Sequence, residues 1–216
     1  AITQFLAWGV QQTWKAWYDK VQQLHASGQL KGVIIDLRNN GGGMLNDFQF
    51  VLGSMLPSGG FQAGYSRLKR GVGRYDYSPL SSFKLKTLET AHETITEPIV
   101  VLANCASVSM AEMTTLSCQS LPNGTFIGKP THGDVCSLVT DPFVYYQNYA
   151  GVIGKMNETP VFLYIPQMVT LTKDKQILEG VGVTPDIEVD FNVSLYTTTG
   201  RDTQLERALQ FITTGN

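Results

Sequence analysis

One stretch limits the possible folds more than any other: Val33-Ile34-Ile35 running into Asp36-Leu37-Arg38-Asn39-Asn40-Gly41-Gly42-Gly43. Apolar residues without polar alternation describe a strand covered on both faces, the situation of a parallel sheet. Parallel strands need a crossover, and the residues upstream supply one. Ile2-Thr3-Gln4-Phe5-Leu6-Ala7-Trp8 reads as a strand. Over 11–27, Trp14, Trp17/Tyr18, Val21 and Leu24/His25 form an apolar stripe at helical spacing, closed by Gly28. Strand 2–8, helix 11–27 and strand 32–37 make a βαβ unit and predict an α/β fold.

The same logic extends along the chain. Met44, Phe48, Val51/Leu52 and Met55 mark a second helix after the glycine turn, and residues 57–97 read as a solvated hairpin or lid whose basic run (Arg67, Lys69, Arg70, Arg74, Lys84, Lys86) is a solvated face. A strand at 99–104, a helix over about 110–120 and the strand Thr125-Phe126-Ile127 repeat the strand–helix–strand pattern. Strand candidates follow at 161–165 and 168–172, then the turn Gly180–Asp186 before Ile187-Glu188-Val189, and a last helix over 203–213. No linker or repeat divides the chain, so residues 1–216 read as a single domain.

Composition excludes several classes. Apolar residues make up 43% of the 216-residue chain and charged residues 16%, enough for a buried core and too apolar for disorder. Sixteen Lys and Arg against 18 Asp and Glu leave a formal net charge of -2, which gives no overall field for nucleic acid or an anionic membrane. The longest apolar runs fall far short of the ~20 residues that span a bilayer. Cys105, Cys118 and Cys136 are an odd number without CxxC or zinc spacing, so no disulfide scaffold, metal or cofactor is expected.

Two segments can carry chemistry. The three glycines after strand 32–37 free backbone N–H groups that cradle a phosphate or an oxyanion, or they simply make a tight packed turn; the phosphate-loop pattern is absent. In Asn104-Cys105-Ala106-Ser107-Val108-Ser109-Met110-Ala111-Glu112, a strand again runs into a helix. Ser109 there is either a nucleophile beside the Met110 N–H or an N-cap that forms a capping box with Glu112.

Taken with Ile127-Gly128-Lys129-Pro130-Thr131-His132-Gly133 and Glu179-Gly180-Val181-Gly182-Val183-Thr184-Pro185-Asp186-Ile187-Glu188-Val189, these segments resemble, in order, the C-terminal processing (tail-specific) serine protease family. That family includes the core of tricorn protease and shares a fold related to crotonase and the Clp protease. The resemblance implies a crotonase/Clp-protease-like core with stacked βαβ units. It makes Ser109 the nucleophile and the backbone N–H groups of Met110 and Gly42 the oxyanion donors, with Gly41 or Gly43 next in line; Ser107 lies too early in the turn. The partner would be an extended peptide or a protein C-terminus in the periplasm, the cell envelope or outside the cell.

The tail-specific branch takes its base from a lysine directly after Thr-x-Gly, and here that place is Asp134. Lys129, five residues earlier, should point elsewhere. The likeness is therefore closer to the tricorn-core-like branch without that lysine, which uses a His from ahead of the core and a Glu after the nucleophile. Glu179 is the candidate for the latter, with a structural role before the Gly-Val turn as its alternative. The start without Met, and without a PDZ module, reads as a piece whose N-terminal cap or PDZ segments are missing. Of the histidines, His25 and His92 read as ordinary surface or boundary residues, and His132 reads as a base or a wall of the cleft. Two functions follow: a serine endopeptidase, or an inactive peptide- or ligand-binding module of the same fold.

Overall fold

The computed structural model describes residues 10–43, 51–53, 55, 61–85, 93–135, 152–155, 162–165 and 168–216. The expected strand 2–8, most of the second helix and His92 lie outside them. The described elements are helices α1 (Val10–Ala26), α2 (Met110–Gln119), α3 (Val193–Thr199) and α4 (Thr203–Thr214), with strands β1 (Val33–Asp36), β2 (Phe61–Leu68), β3 (Ser81–Leu85), β4 (Ile99–Ala103), β5 (Gly124–Gly128), β6 (Val152–Lys155), β7 (Phe162–Ile165), β8 (Met168–Leu171) and β9 (Ile187–Glu188).

The frame is a four-stranded sheet in the order β1-β4-β5-β9, parallel throughout, with Val33 paired to Ile99 and Ile99 to Gly124. β4 is buried at every position, as an apolar run without alternation requires. Its odd-numbered side chains, Ile99, Val101 and Ala103, join Val33 and Ile35 in a core that includes Trp14 and Val21 of α1 and Met113 and Leu116 of α2. Val100 and Leu102 face the other way, onto Ala208, Phe211 and Ile212 of α4. The sheet is thus covered on both faces. Gly32 permits the close approach of α4, since a Cβ there would sit 2.8 Å from Ile212 Cγ2.

The hairpin expected within 57–97 forms as β2–β3, with one correction to its surroundings. β8 pairs antiparallel with β2, so β2 is the middle strand of a three-stranded sheet, β3-β2-β8. A two-stranded β6-β7 ladder completes the described strands. Helix α3 was not foreseen: it is capped by Asn192 and Gly200 but buries no residue, so it leaves no apolar stripe. Among the described residues no helix is long and apolar enough to cross a membrane.

Candidate active site

Because β1 and β4 are adjacent and parallel, their C-terminal ends lie side by side, and the turns that leave them meet. The two turns are stitched by their own polar side chains. Asn104 Oδ1 accepts from the Asn39 N–H at 3.1 Å and Asn104 Nδ2 donates to Asn39 Oδ1 at 3.1 Å. Ser107 is buried; its hydroxyl donates to the Leu37 carbonyl at 2.8 Å and accepts from the Asn104 N–H at 3.0 Å. Ser107 is therefore a brace between the turns.

Ser109 stands at the N-terminus of α2 with φ 57° and ψ −118°, a backbone conformation that an L residue holds only under constraint. The neighbouring Gly42, at φ 88°, is pressed against it. A Cβ on Gly42 would lie 2.7 Å from Ser109 Cβ and from the Val108 carbonyl oxygen, and 2.9 Å from Met110 N. Glycine is required there by both the angle and the space. The glycine turn and the serine turn thus form one surface, with Ser109, Met110 N and Gly42 in contact. The Met110 N–H, first of the helix, meets no acceptor among the described residues. The Gly42 N–H donates to Asn40 Oδ1 at 2.8 Å, inside its own turn. Gly41 and Gly43 are exposed.

Glu112 organises the other wall. It is fully buried, and its carboxylate accepts four hydrogen bonds: from Thr131 Oγ1 at 2.7 Å and the Gly133 N–H at 2.6 Å on one oxygen, and from the N–H groups of Asp134 at 2.9 Å and Ser109 at 3.1 Å on the other. The Ser109 N–H is shared with the Asp134 carbonyl at 3.0 Å. The segment 131–134 is held from behind as well, because Thr131 Oγ1 accepts the Val183 N–H at 2.7 Å and the Gly180 N–H reaches the Gly133 carbonyl at 2.6 Å. The capping-box reading of Glu112 foresaw one of its four donors. A glutamate on the inward side of an otherwise apolar and small-residue helix was the signal for the rest, since a buried carboxylate must find donors.

The candidate bases separate clearly. Asp134 is beside Ser109 by its backbone, so position 134 does abut the serine. Lys129 points away: its ammonium pairs with Glu188 and Asp190, which push its pKa up and keep it protonated. His132 is exposed and sits level with Ser107, whose carbonyl accepts its N–H at 3.1 Å; its ring Nδ1 lies 3.2 Å from the Cys105 carbonyl. Among the described residues no hydrogen bond joins the His132 ring to Ser109. Glu179 accepts the Val135 N–H at 3.1 Å and so holds the end of the 131–135 segment. His25 lies across the molecule on α1, bonded to Glu97 at 2.8 Å.

Asp36 and Arg38, inside the glycine motif, serve the frame. The guanidinium grips Asp36 at 2.7 and 2.9 Å and Asp202 at 2.8 and 2.9 Å, while Asp202 caps α4. Among the described residues no cluster of His, Cys, Asp and Glu could hold a metal ion.

Comparison with known proteins identifies the family and the fold. The profile of Peptidase family S41 matches residues 1–189. A carboxy-terminal-processing protease of Bartonella bacilliformis is 28% identical over 170 residues, covering 79% of this chain and 33% of its own length. The chain thus spans about a third of that curated relative. A crystal structure of a peptidase candidate from Parabacteroides merdae superposes with a TM-score of 0.72 at 22% identity, over 90% of this chain and 56% of the other. The photosystem II D1 C-terminal processing protease gives 0.55 at 18% identity, over 87% and 41%. These two likenesses concern the fold.

Proposed function

The chain belongs to peptidase family S41, and on that premise we propose that it is the catalytic core of a serine endopeptidase acting on extended peptides or protein C-termini through an acyl-enzyme on Ser109. The reading takes the fold as a crotonase/Clp-related core forming one domain over 1–216. One observation carries it: Gly42 packs so closely on Ser109 and Met110 N that a Cβ there would come within 2.9 Å of both, and the serine is held at φ 57°. Oγ attacks the peptide carbonyl carbon and its proton passes to a base. The C–N bond then breaks, the amine leaves with a proton, and water hydrolyses the ester. The Met110 N–H and the Gly42 N–H, once released from Asn40, stabilise the oxyanion. A peptide bound along a sheet edge would be presented at this turn.

The base is the open element. His132 is the candidate within the chain: a neutral ring that donates Nδ1–H to the Cys105 carbonyl keeps its lone pair on Nε2. In the tricorn-like reading the base is instead a His supplied from ahead of the core, with Glu179 as its acidic companion. The compartment proposed with this reading is the periplasm, the cell envelope or the exterior.

A second reading, an inactive peptide- or ligand-binding module, is favoured by two observations: Asp134 stands beside Ser109, and the Gly42 N–H is occupied. Labelling with a fluorophosphonate, read by intact mass on the chain and on Ser109→Ala, separates them. A single adduct lost in the variant supports the peptidase; no adduct on the folded chain supports the binding module.

A further inference from the structure

The loop that joins β2 to β3 gathers positive charge in a chain whose formal net charge is -2. Lys69, Arg70 and Arg74 stand there, next to Arg67 at the end of β2, with a single acid, Asp76. That acid, though exposed, turns its carboxylate onto the loop's own backbone. Its carboxylate accepts the Gly73 N–H at 2.6 Å and fills the space over Gly71 and Gly73, where a Cβ on either would come within 2.6 Å of Oδ2. The loop is closed by the Arg70 N–H on the Asp76 carbonyl at 2.8 Å and the Ser78 N–H on the Leu68 carbonyl at 2.8 Å. Cations lie over its rings, Lys69 Nζ 4.7 Å from the Tyr77 centroid and the Arg74 guanidinium 5.4 Å from that of Tyr75. Its shape is therefore set by its own bonds.

What this fixed loop presents is unusual for a turn. Val72, between two glycines, is wholly exposed, and Tyr75 is 81% exposed. A fully exposed valine and an exposed tyrosine among basic residues match the headgroup boundary of an anionic bilayer. There apolar and aromatic groups sit below the phosphates, and Lys and Arg reach back to them. We propose that the β2–β3 loop docks this protein reversibly on an anionic lipid surface through Val72 and Tyr75, with Arg70 and Arg74 on the lipid phosphates, while the Lys69 ammonium donates to the Gly73 carbonyl. The inference is independent of the reaction at Ser109.

Co-sedimentation of the whole chain with vesicles tests it. The chain partitions onto phosphatidylcholine–phosphatidylglycerol vesicles and not onto phosphatidylcholine alone, and raised salt releases it. The double variant Arg70→Gln/Arg74→Gln binds about thirtyfold more weakly, at roughly fivefold per charge near the surface. Val72→Ser, which removes only solvent-exposed carbon, binds roughly tenfold more weakly. Both variants melt with the unaltered chain, so lost binding is not lost folding. Equal partition onto neutral vesicles, or variants that bind like the unaltered chain, would overturn the proposal. So would capture by immobilised polyglutamate without vesicle binding, which would make the target an acidic protein surface.

Discussion

Replacing Glu112 by Gln exchanges one carboxylate oxygen for an NH2 group at the point where α2, Ser109 and the 131–134 segment are tied together. The consequence follows from the four donors around it. If the NH2 takes the side of Asp134 and Ser109, it confronts two N–H groups; Ser109 keeps the Asp134 carbonyl, and the Asp134 N–H is orphaned. On the other side it confronts the Gly133 N–H and the Thr131 hydroxyl, which already accepts the Val183 N–H. Either way at least one N–H loses its acceptor, at about 1–3 kcal/mol, and the remaining bonds lose the charge that strengthened them. Together the loss is about 3 kcal/mol, which for a chain of this size lowers the melting temperature by roughly 6–12 °C. Thermal unfolding followed by near-UV circular dichroism measures it, with urea unfolding as the check that the exposed surface is unchanged. A variant that melts within about 2 °C of the unaltered protein would refute the view that this carboxylate organises the site.

Ser109→Gly relieves the strain at φ 57° that Ser109→Ala keeps. The glycine variant should therefore be about 1 kcal/mol more stable than the alanine variant, and equal urea midpoints would count against the strained conformation. Asp134→Lys places an amine beside Ser109. Fluorophosphonate labelling should rise at least tenfold if only the base limits reactivity; no gain would show that the surrounding geometry differs too. Burial disfavours the charged forms of Glu97 and Asp202, yet His25 beside the first and Arg38 beside the second outweigh it and hold both carboxyls below their usual range. Each then contributes stability above about pH 4.5 that is lost as the pH falls through its lowered folded-state value. Melting from pH 6 down to about pH 3 shows this loss, and Asp202→Asn, which keeps the helix cap, should reduce it. The Cys118 thiol, on the buried side of α2, is pushed up to about 12 by desolvation, whereas Cys105 is exposed. Iodoacetamide at pH 8 should alkylate Cys105 and spare Cys118 until the protein unfolds, and early modification of Cys118 would contradict its burial.

How much of this was legible in the sequence depended on how local each signal was. Val33-Ile34-Ile35 and Ile99–Ala103 announced a parallel sheet covered on both faces, because their lack of alternation reports the two layers directly. The two turns were equally readable, since glycine and N-terminal helix residues carry their conformational demands with them. Pairings across long separations were not. Nothing near β2 indicates that β8, about a hundred residues later, completes its other side. Glu112 declared its bond to Ser109, three residues away, while its partners at 131–134 came only with the fold. The Asn40 side chain on the Gly42 N–H is an Asx turn, a habit of Asn before glycine that sequence reading passed over.

The two departures from a working peptidase site, the occupied Gly42 N–H and the aspartate beside Ser109, carry different weight. The bond from Gly42 to Asn40 is neutral and lies within one turn, worth about 1 kcal/mol net. An oxyanion offered to the same N–H is worth roughly 3–4 kcal/mol of barrier. On the proposed reading the exchange favours the oxyanion by about 2–3 kcal/mol, so the bond to Asn40 is no bar to the Gly42 N–H serving as donor. The base has no such remedy. An ordinary carboxylate, with a pKa of about 3.9, is a weaker proton acceptor than an imidazole at about 6.5 by roughly 3.5 kcal/mol, and no movement of a side chain restores that difference. The choice between peptidase and binding module therefore rests on what reaches the Ser109 hydroxyl proton. Removing His132, rather than Asn40, is the substitution that decides whether this chain carries its own base.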